Sequence, residues 1–266
     1  MREITDSEKK ALLVDILVRL SPYFEKNSIK WFVAFGTLIG TVRHHGFIPW
    51  DDDVDIVVPR KDFFRLIRLL QKDEEFLQKN NMCLLTYDER DNSYSKRFKI
   101  ADTRTEMTEF ENLRPAVFVD VFPLDYIPSL KFLRLRRKFI RNADNMIMLC
   151  ARGKPYKKGV ERILQRLCLV VYRVLGLSKA QSIYERTLVR MEEKNPNYAG
   201  VAEGELINQF CEASNYEYSV PMLFEGVSVP VPVGYHAILT QIYGDYMTLP
   251  KEEDRHSHEY YKMYWK

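Results

Sequence analysis

The sequence predicts an α/β (α+β) fold, a mixed sheet with helices that is interrupted by a helical, basic insertion. Three observations predict it. Short apolar runs with strand-like alternation recur between residues 29 and 122. Helical patterns stand between those runs, the order expected when helices are layered on a sheet. From Lys131 onward cations crowd a stretch whose periodicity is helical up to about Met191.

Residues 7 to 20 place Ala11, Leu12, Ile16 and Leu20 near helical spacing, with Ser7 as the expected cap, so an amphipathic helix opens the fold. IKWFVAF (29–35) reads as a buried strand that Gly36-Thr37 punctuates before a short helix in TLIGTVRHH. FIPW then leads into DDDVDIVVP, where Val54, Ile56 and Val58 alternate with Asp53, Asp55 and Val57 at the strand period until Pro59 ends the run. KDFFRLIRLLQ reads as a helix, and CLLTY, RFKIAD and AVFVDVF as further strands. The basic stretches KFLRLRRKFIR and RGKPYKK follow. The tail returns to strand and turn signals in LFEGVSVPVPVGY, a helical AILTQIYGDYM and a polar close, KEEDRHSHEYYKMYWK. These changes of character divide the chain into a catalytic core at 1–128, a basic helical insertion at 129–200 and a C-terminal segment at 201–266.

A chain of 266 residues with 46% hydrophobic and 29% charged residues has the composition of a globular protein and can bury a full α/β core. No run is long and apolar enough to span a bilayer, and MREITDSEKKALLVDILVRL mixes charges into its apolar positions, unlike a secretory leader. The expected location is the cytoplasm, with the inner face of the plasma membrane as the place of any membrane contact. Cys83, Cys150, Cys168 and Cys211 lie too far apart for a zinc-site or disulfide-framework spacing, so free, mostly buried thiols are expected. A net charge of +3 argues against nucleic acid as a partner.

The strongest chemical signal is Asp51-Asp52-Asp53-Val54-Asp55, because four carboxylates in five residues repel one another unless water, cations or a metal compensate. At strand spacing Asp53 and Asp55 project to one face, and two oxygen ligands on one rigid edge suit Mg²⁺, or Mn²⁺ in its place. A solvated acidic turn is the alternative. Asp120 lies in the apolar run AVFVDVF, where an unpaired charge is costly; it is either a structural ion pair or a third metal ligand or base. Gly36-Thr37 opens a helix whose exposed N–H groups can hold phosphate, and Arg43 lies six residues on. Trp50 offers a face for a nucleobase or a quaternary ammonium, or else simply packs.

Taken together, GTLIGTVRHHGFIPWDDDVDIVV, FVDVFPLD, FEGVSVPVP and YGDYMTLP resemble successive signature segments of the LicD family. The resemblance covers about residues 30–125 and 222–258. It implies a nucleotidyltransferase-type fold completed by the C-terminal segment, a divalent metal, and transfer of phosphocholine from a CDP-choline donor to a sugar hydroxyl on teichoic acid or another surface glycan, with a lipid-linked precursor as a possible form of the acceptor. It also implies that Gly36 and Thr37 form the phosphate-contacting turn, that Asp53 and Asp55 bind the metal, and that Asp120 is the third acidic position. Arg255, His256 and His258 in RHSHE resemble the family's closing Arg and His segment only loosely. Three other readings stay open: transfer of ribitol or glycerol phosphate from the matching CDP-alcohol, a metal-dependent glycosyltransferase, and a non-catalytic peripheral membrane adaptor. For residues 131–177, contact with an anionic membrane surface competes with a helix packed on the core and a solvated basic face.

Overall fold

The computed structural model describes residues 2–86, 97–109, 112–114, 117–152, 158–192, 195–202, 209–255 and 262–266. Helix α1 (Asp6–Lys26) begins one residue before the expected cap, because Thr5 and Glu8 form a reciprocal capping box: each side chain accepts the other's backbone N–H. Its inward face, Leu13, Ile16, Leu17, Leu20 and Phe24, is fully buried against the sheet.

The main sheet runs in the order β1 (Phe32–Val33), β2 (Asp55–Pro59), β7 (Phe118–Ile127), β4 (Phe98–Asp102), β3 (Met82–Leu85). The β2–β7 pair is parallel and the others are antiparallel, so the sheet is mixed as expected. The second half of β7 also pairs with β8 (Tyr198–Gly200), and β8 with β9 (Cys211–Glu212). β2 lies between β1 and β7, so both of its edges are paired, and helices pack on its faces: Val54, Ile56, Val57 and Val58 are all at most 2% exposed. This corrects the placement of the acidic pair on a sheet edge. The carboxylates stand at the leading end of an interior strand.

Helices α3 (Arg60–Lys72) and α4 (Glu74–Lys79) follow β2, with Phe63, Phe64, Leu66, Ile67 and Leu70 of α3 turned inward. Two strands that the sequence pattern did not reveal, β5 (Thr105–Glu109) and β6 (Asn112–Arg114), form a small sheet with β12 (Met263–Trp265) from the polar close of the chain. The basic stretch forms α5 (Leu130–Arg152), α6 (Val160–Leu175) and α7 (Leu177–Arg190).

Asp125, at the end of FVDVFPLD, ties this helical section to the sheet. Its carboxylate receives Arg60 Nε at 2.9 Å and Nη2 at 2.6 Å, an ion pair from Arg136 of α5, and the Ala202 amide at 3.3 Å. All three charged side chains are 0% exposed. Burial pushes the Asp125 carboxyl up, but the two guanidinium groups outweigh that and hold it below the usual carboxylate range. Arg136 therefore drops out of the cations expected at a membrane surface, and Arg137 donates to the Ala202 carbonyl at 2.8 Å. Lys131, Arg134, Lys138 and Arg141 remain exposed.

The C-terminal segment returns to the front of the molecule. The hairpin of β10 (Ser219–Phe224) and β11 (Val227–Pro232) turns at Glu225-Gly226 with positive φ at both residues, the geometry of a tight two-residue turn. Glu225 then clamps the loop that precedes the acidic cluster: its amide donates to His45 at 2.9 Å and its carboxylate accepts from the Phe47 amide at 3.0 Å. Helix α8 (Tyr235–Tyr243) stops at Gly244, whose φ is 70°.

Candidate active site

Three backbone connections bring the acidic residues and a helix N-terminus together. Asp55 and Asp120 are register partners on adjacent parallel strands, and the Asp120 amide donates to the Val54 carbonyl at 2.9 Å. Neighbouring strands lie about 4.8 Å apart, so the two carboxylates start from adjacent anchor points. On the other side of β2, the Ala34 amide donates to the Asp55 carbonyl at 3.0 Å, which sets the start of α2 (Phe35–His44) beside the same strand end.

The turn into α2 is tight. Phe35 has φ of 48°, uncommon for a residue with a side chain, and its ring is held edge-on against Phe122 of β7 at 5.3 Å. Ala34 provides no side-chain cap and the first turn carries no acid, so the leading N–H groups lack the usual local acceptors. Gly36 faces Asp51 so closely that a Cβ there would lie 2.4 Å from Asp51 Oδ2. Thr37 is 2% exposed, and its hydroxyl accepts the Asp55 amide at 2.9 Å. The task visible for Thr37 is thus to fix Asp55.

The acidic residues divide by alternation. Asp52 turns back into α1, where it forms a buried ion pair with Lys9. Asp51, Asp53 and Asp55 act on one another: burial raises the Asp55 pKa well above the ordinary range, and the charges of Asp53, Asp120 and Asp51 raise it further against a smaller opposing pull from Arg97. Asp120 is also raised by burial, with Lys99 and Arg97 opposing. Lys99 Nζ is 3.3 Å and Arg97 Nε 3.5 Å from Asp120 Oδ1, yet that oxygen is buried and accepts no well-aligned hydrogen bond from the described residues.

Lys99 was the missed residue with a usable signal. A lysine inside the apolar run RFKIAD needs a carboxylate partner, and the antiparallel register places it opposite Asp120. Tyr243 carried no such signal. It ends α8 with 44% of its surface exposed, and burial of the phenol followed by the charges of Asp55, Asp51 and Asp53 pushes its pKa up.

Arg43 and Trp50 stand apart from this cluster's hydrogen bonds. Arg43 lies in the last turn of α2, about 9 Å along the axis from Thr37. Its guanidinium donates to the Tyr246 carbonyl at 2.5 Å and to His44 Nε2 at 2.9 Å. Trp50 is half-buried and the Arg255 guanidinium lies over its ring at 5.0 Å. Arg255 also donates to the Pro250 carbonyl at 3.0 Å, while His256 and His258 lie outside the described residues.

Among the described residues, no three His, Cys, Asp or Glu side chains close a metal site by themselves. The donor set is nevertheless all oxygen, mutually repelling, and includes the unsatisfied Asp120 Oδ1. That chemistry fits a hard cation bound by one or two carboxylates and completed by water and substrate phosphate.

Comparison with known proteins agrees with the fold. Residues 28–134 match the family model described as LicD/FKTN/FKRP, nucleotidyltransferase domain. Over 99% of its length the chain is 28% identical to 99% of the lipopolysaccharide cholinephosphotransferase LicD of Haemophilus influenzae. An uncharacterised protein of Rickettsia prowazekii is 41% identical over 70 residues, covering 26% of each chain, and one of Rickettsia typhi 43% identical over 65 residues, covering 24% of this chain and 21% of its own.

Proposed function

We propose that the chain, which matches the LicD/FKTN/FKRP nucleotidyltransferase domain over residues 28–134, is a LicD-family enzyme that transfers phosphocholine from CDP-choline to a sugar hydroxyl of a surface-glycan precursor, releasing CMP. One observation carries the reading. The register of β2 and β7 sets Asp55 beside Asp120, with Asp53 just before the strand and the uncapped N-terminus of α2 alongside, a pairing of acidic ligands with an anion-holding turn that suits a diphosphate.

Asp53 and Asp55 would hold a divalent cation, Mg²⁺ or Mn²⁺, with Asp120 as the third oxygen. When bound, such an ion neutralises charge that develops on the diphosphate as the bridging oxygen leaves. The amides at Gly36 and Thr37 would bind and orient the phosphates so that the choline-bearing phosphorus faces the acceptor. Thr37 would keep Asp55 in place through its backbone, and Lys99 would keep Asp120 turned toward the cluster. Tyr243 and Trp50 offer aromatic faces for the choline or cytosine ends of the donor.

The test is a set of reactions with CDP-choline, CDP-ribitol and CDP-glycerol, a glycan acceptor and Mg²⁺, read by mass spectrometry and nucleotide chromatography. CMP rising in step with a phosphocholine-modified acceptor supports the proposal. Cytidylate on the acceptor with free phosphocholine, or transfer from a different CDP-alcohol alone, would overturn it.

A further inference from the structure

Helix α6 carries apolar residues on two opposite faces. Leu169 packs inward at 8% exposure. Val160, Ile163, Leu167 and Val170 instead stand in solvent at 73%, 60%, 59% and 57% exposure. Their spacing of three and four residues places them within roughly a quarter of the helix circumference, about half a turn from Leu169. Single exposed aliphatic side chains are ordinary, but a continuous row along a helix is a surface that lacks its partner.

The neighbouring helix repeats the spacing with a different chemistry. On α5, which packs against α6, Lys131, Arg134, Lys138 and Arg141 recur at the same intervals and are all exposed, while Leu133, Arg136 and Ile140 point inward. Arg166 is exposed beside the apolar row of α6 itself. An aliphatic row flanked by cations matches the boundary of an anionic bilayer, where acyl chains take the apolar side chains and headgroup phosphates take the cations. A second copy docked on the same surface would bring these cations together. No helix among the described residues is long and apolar enough to cross a membrane, so the contact would be one of lying on the surface.

We infer that α5 and α6 form a docking surface for an anionic lipid bilayer, through Val160, Ile163, Leu167 and Val170 with the cations of α5. The surface is separate from the acidic cluster, so it stands independently of which donor the enzyme uses. It would bring the active site to acceptors carried on lipid.

The test is flotation of the full chain with phosphatidylcholine vesicles, with and without phosphatidylglycerol, at rising salt. Three proteins are compared: wild type, Ile163→Ser/Leu167→Ser, and Lys131→Gln/Arg134→Gln/Lys138→Gln/Arg141→Gln. Both variants alter exposed side chains; unchanged circular dichroism and unchanged turnover on a soluble acceptor confirm that each is folded. The expected result is binding to anionic vesicles that weakens with salt, falls about tenfold or more in the cation variant, and is lost in the apolar variant. Absence of flotation at low salt, or equal binding by all three proteins, overturns the inference. So does self-association in light scattering that the apolar variant abolishes without any vesicle binding, since that assigns the surface to a protein partner.

Discussion

The buried hydroxyl of Thr37 accepts a hydrogen bond from the backbone amide of Asp55 at 2.9 Å, joining the first turn of α2 to the first residue of β2. Thr37→Val removes the acceptor, leaves a part-buried N–H unsatisfied and should cost about 1–2 kcal/mol, with activity lost beyond what the fall in stability explains. Thr37→Ser retains the bond and should keep most of both. Denaturant unfolding and turnover measured on the same preparations separate these results.

Asp53→Asn, Asp55→Asn and Asp120→Asn should each abolish nearly all activity; the first two should leave the fold intact, whereas Asp120→Asn should also lower stability because it removes the carboxylate that the buried Lys99 faces. Asp55→Asn should hold or raise Tm in metal-free buffer, because it removes a charge that burial and three neighbouring carboxylates oppose. It should also erase any Tm increase that Mg²⁺ gives the wild type. Asp120→Asn should regain part of its activity at high Mg²⁺ if Asp120 is a ligand. No recovery would reassign it as the base for the acceptor hydroxyl.

The acidic cluster was legible in the sequence because its residues are contiguous and alternate with valine and isoleucine, so local periodicity alone gives their direction. That Asp55 meets Asp120 was not legible as a contact, since a parallel pairing across some sixty residues leaves no local trace. Thr37 and Arg43 show the limit of motif reading: both lie in the recognised segment, but Thr37 is committed to the Asp55 amide and Arg43 to the Tyr246 carbonyl. The strands β5, β6 and β12 escaped for a related reason. Their short runs, such as Thr105–Glu109, are polar enough to resemble loop and draw their order from pairing with distant segments.

Gly36 and Gly40 occupy one helix but should respond differently to alanine. A Cβ at Gly40 would lie 2.4 Å from the Gly46 carbonyl oxygen and 3.3 Å from the Ile48 amide, both backbone atoms that cannot step aside. Gly40→Ala should therefore destabilise by about 1–3 kcal/mol, reversing the usual gain from replacing a helical glycine. Gly36→Ala meets only the end of the Asp51 side chain and should leave Tm within a few degrees while raising KM for the donor. Thermal melts and donor titrations distinguish the two.

Arg136→Gln should be the most destabilising single change in the helical section. It leaves Asp125 with one buried counter-charge in place of two, and loss of one partner from a buried ion network costs about 3–5 kcal/mol. Arg134→Gln, two residues earlier and exposed, should change stability by less than about 0.5 kcal/mol. Parallel urea unfolding curves check the contrast; equal effects would mean that the Asp125 network does not hold α5 to the sheet.

Glu192 should impose a pH dependence on stability that is unrelated to catalysis. Its Oε1 is buried with no hydrogen-bond partner among the described residues; burial, then the charge of Asp125, push its pKa up to about 7, with Arg136 and Arg60 opposing. The ordinary value is 4.5, so the folded protein holds this proton more tightly than the unfolded chain does. The resulting stabilisation is fully present below about pH 4.5 and is lost as pH rises through about 7, because in that window the native state binds more protons. Glu192→Gln cannot ionise and should flatten this part of the profile. Allowing for water access, its gain over wild type at pH 8 should be on the order of 1–2 kcal/mol and should shrink toward zero near pH 5. Unfolding free energies of the two proteins at several pH values between 5 and 8 give the difference directly, free of the other titrating groups they share. A difference that stays constant across that range would show that Glu192 ionises at an ordinary carboxylate pKa in the folded protein.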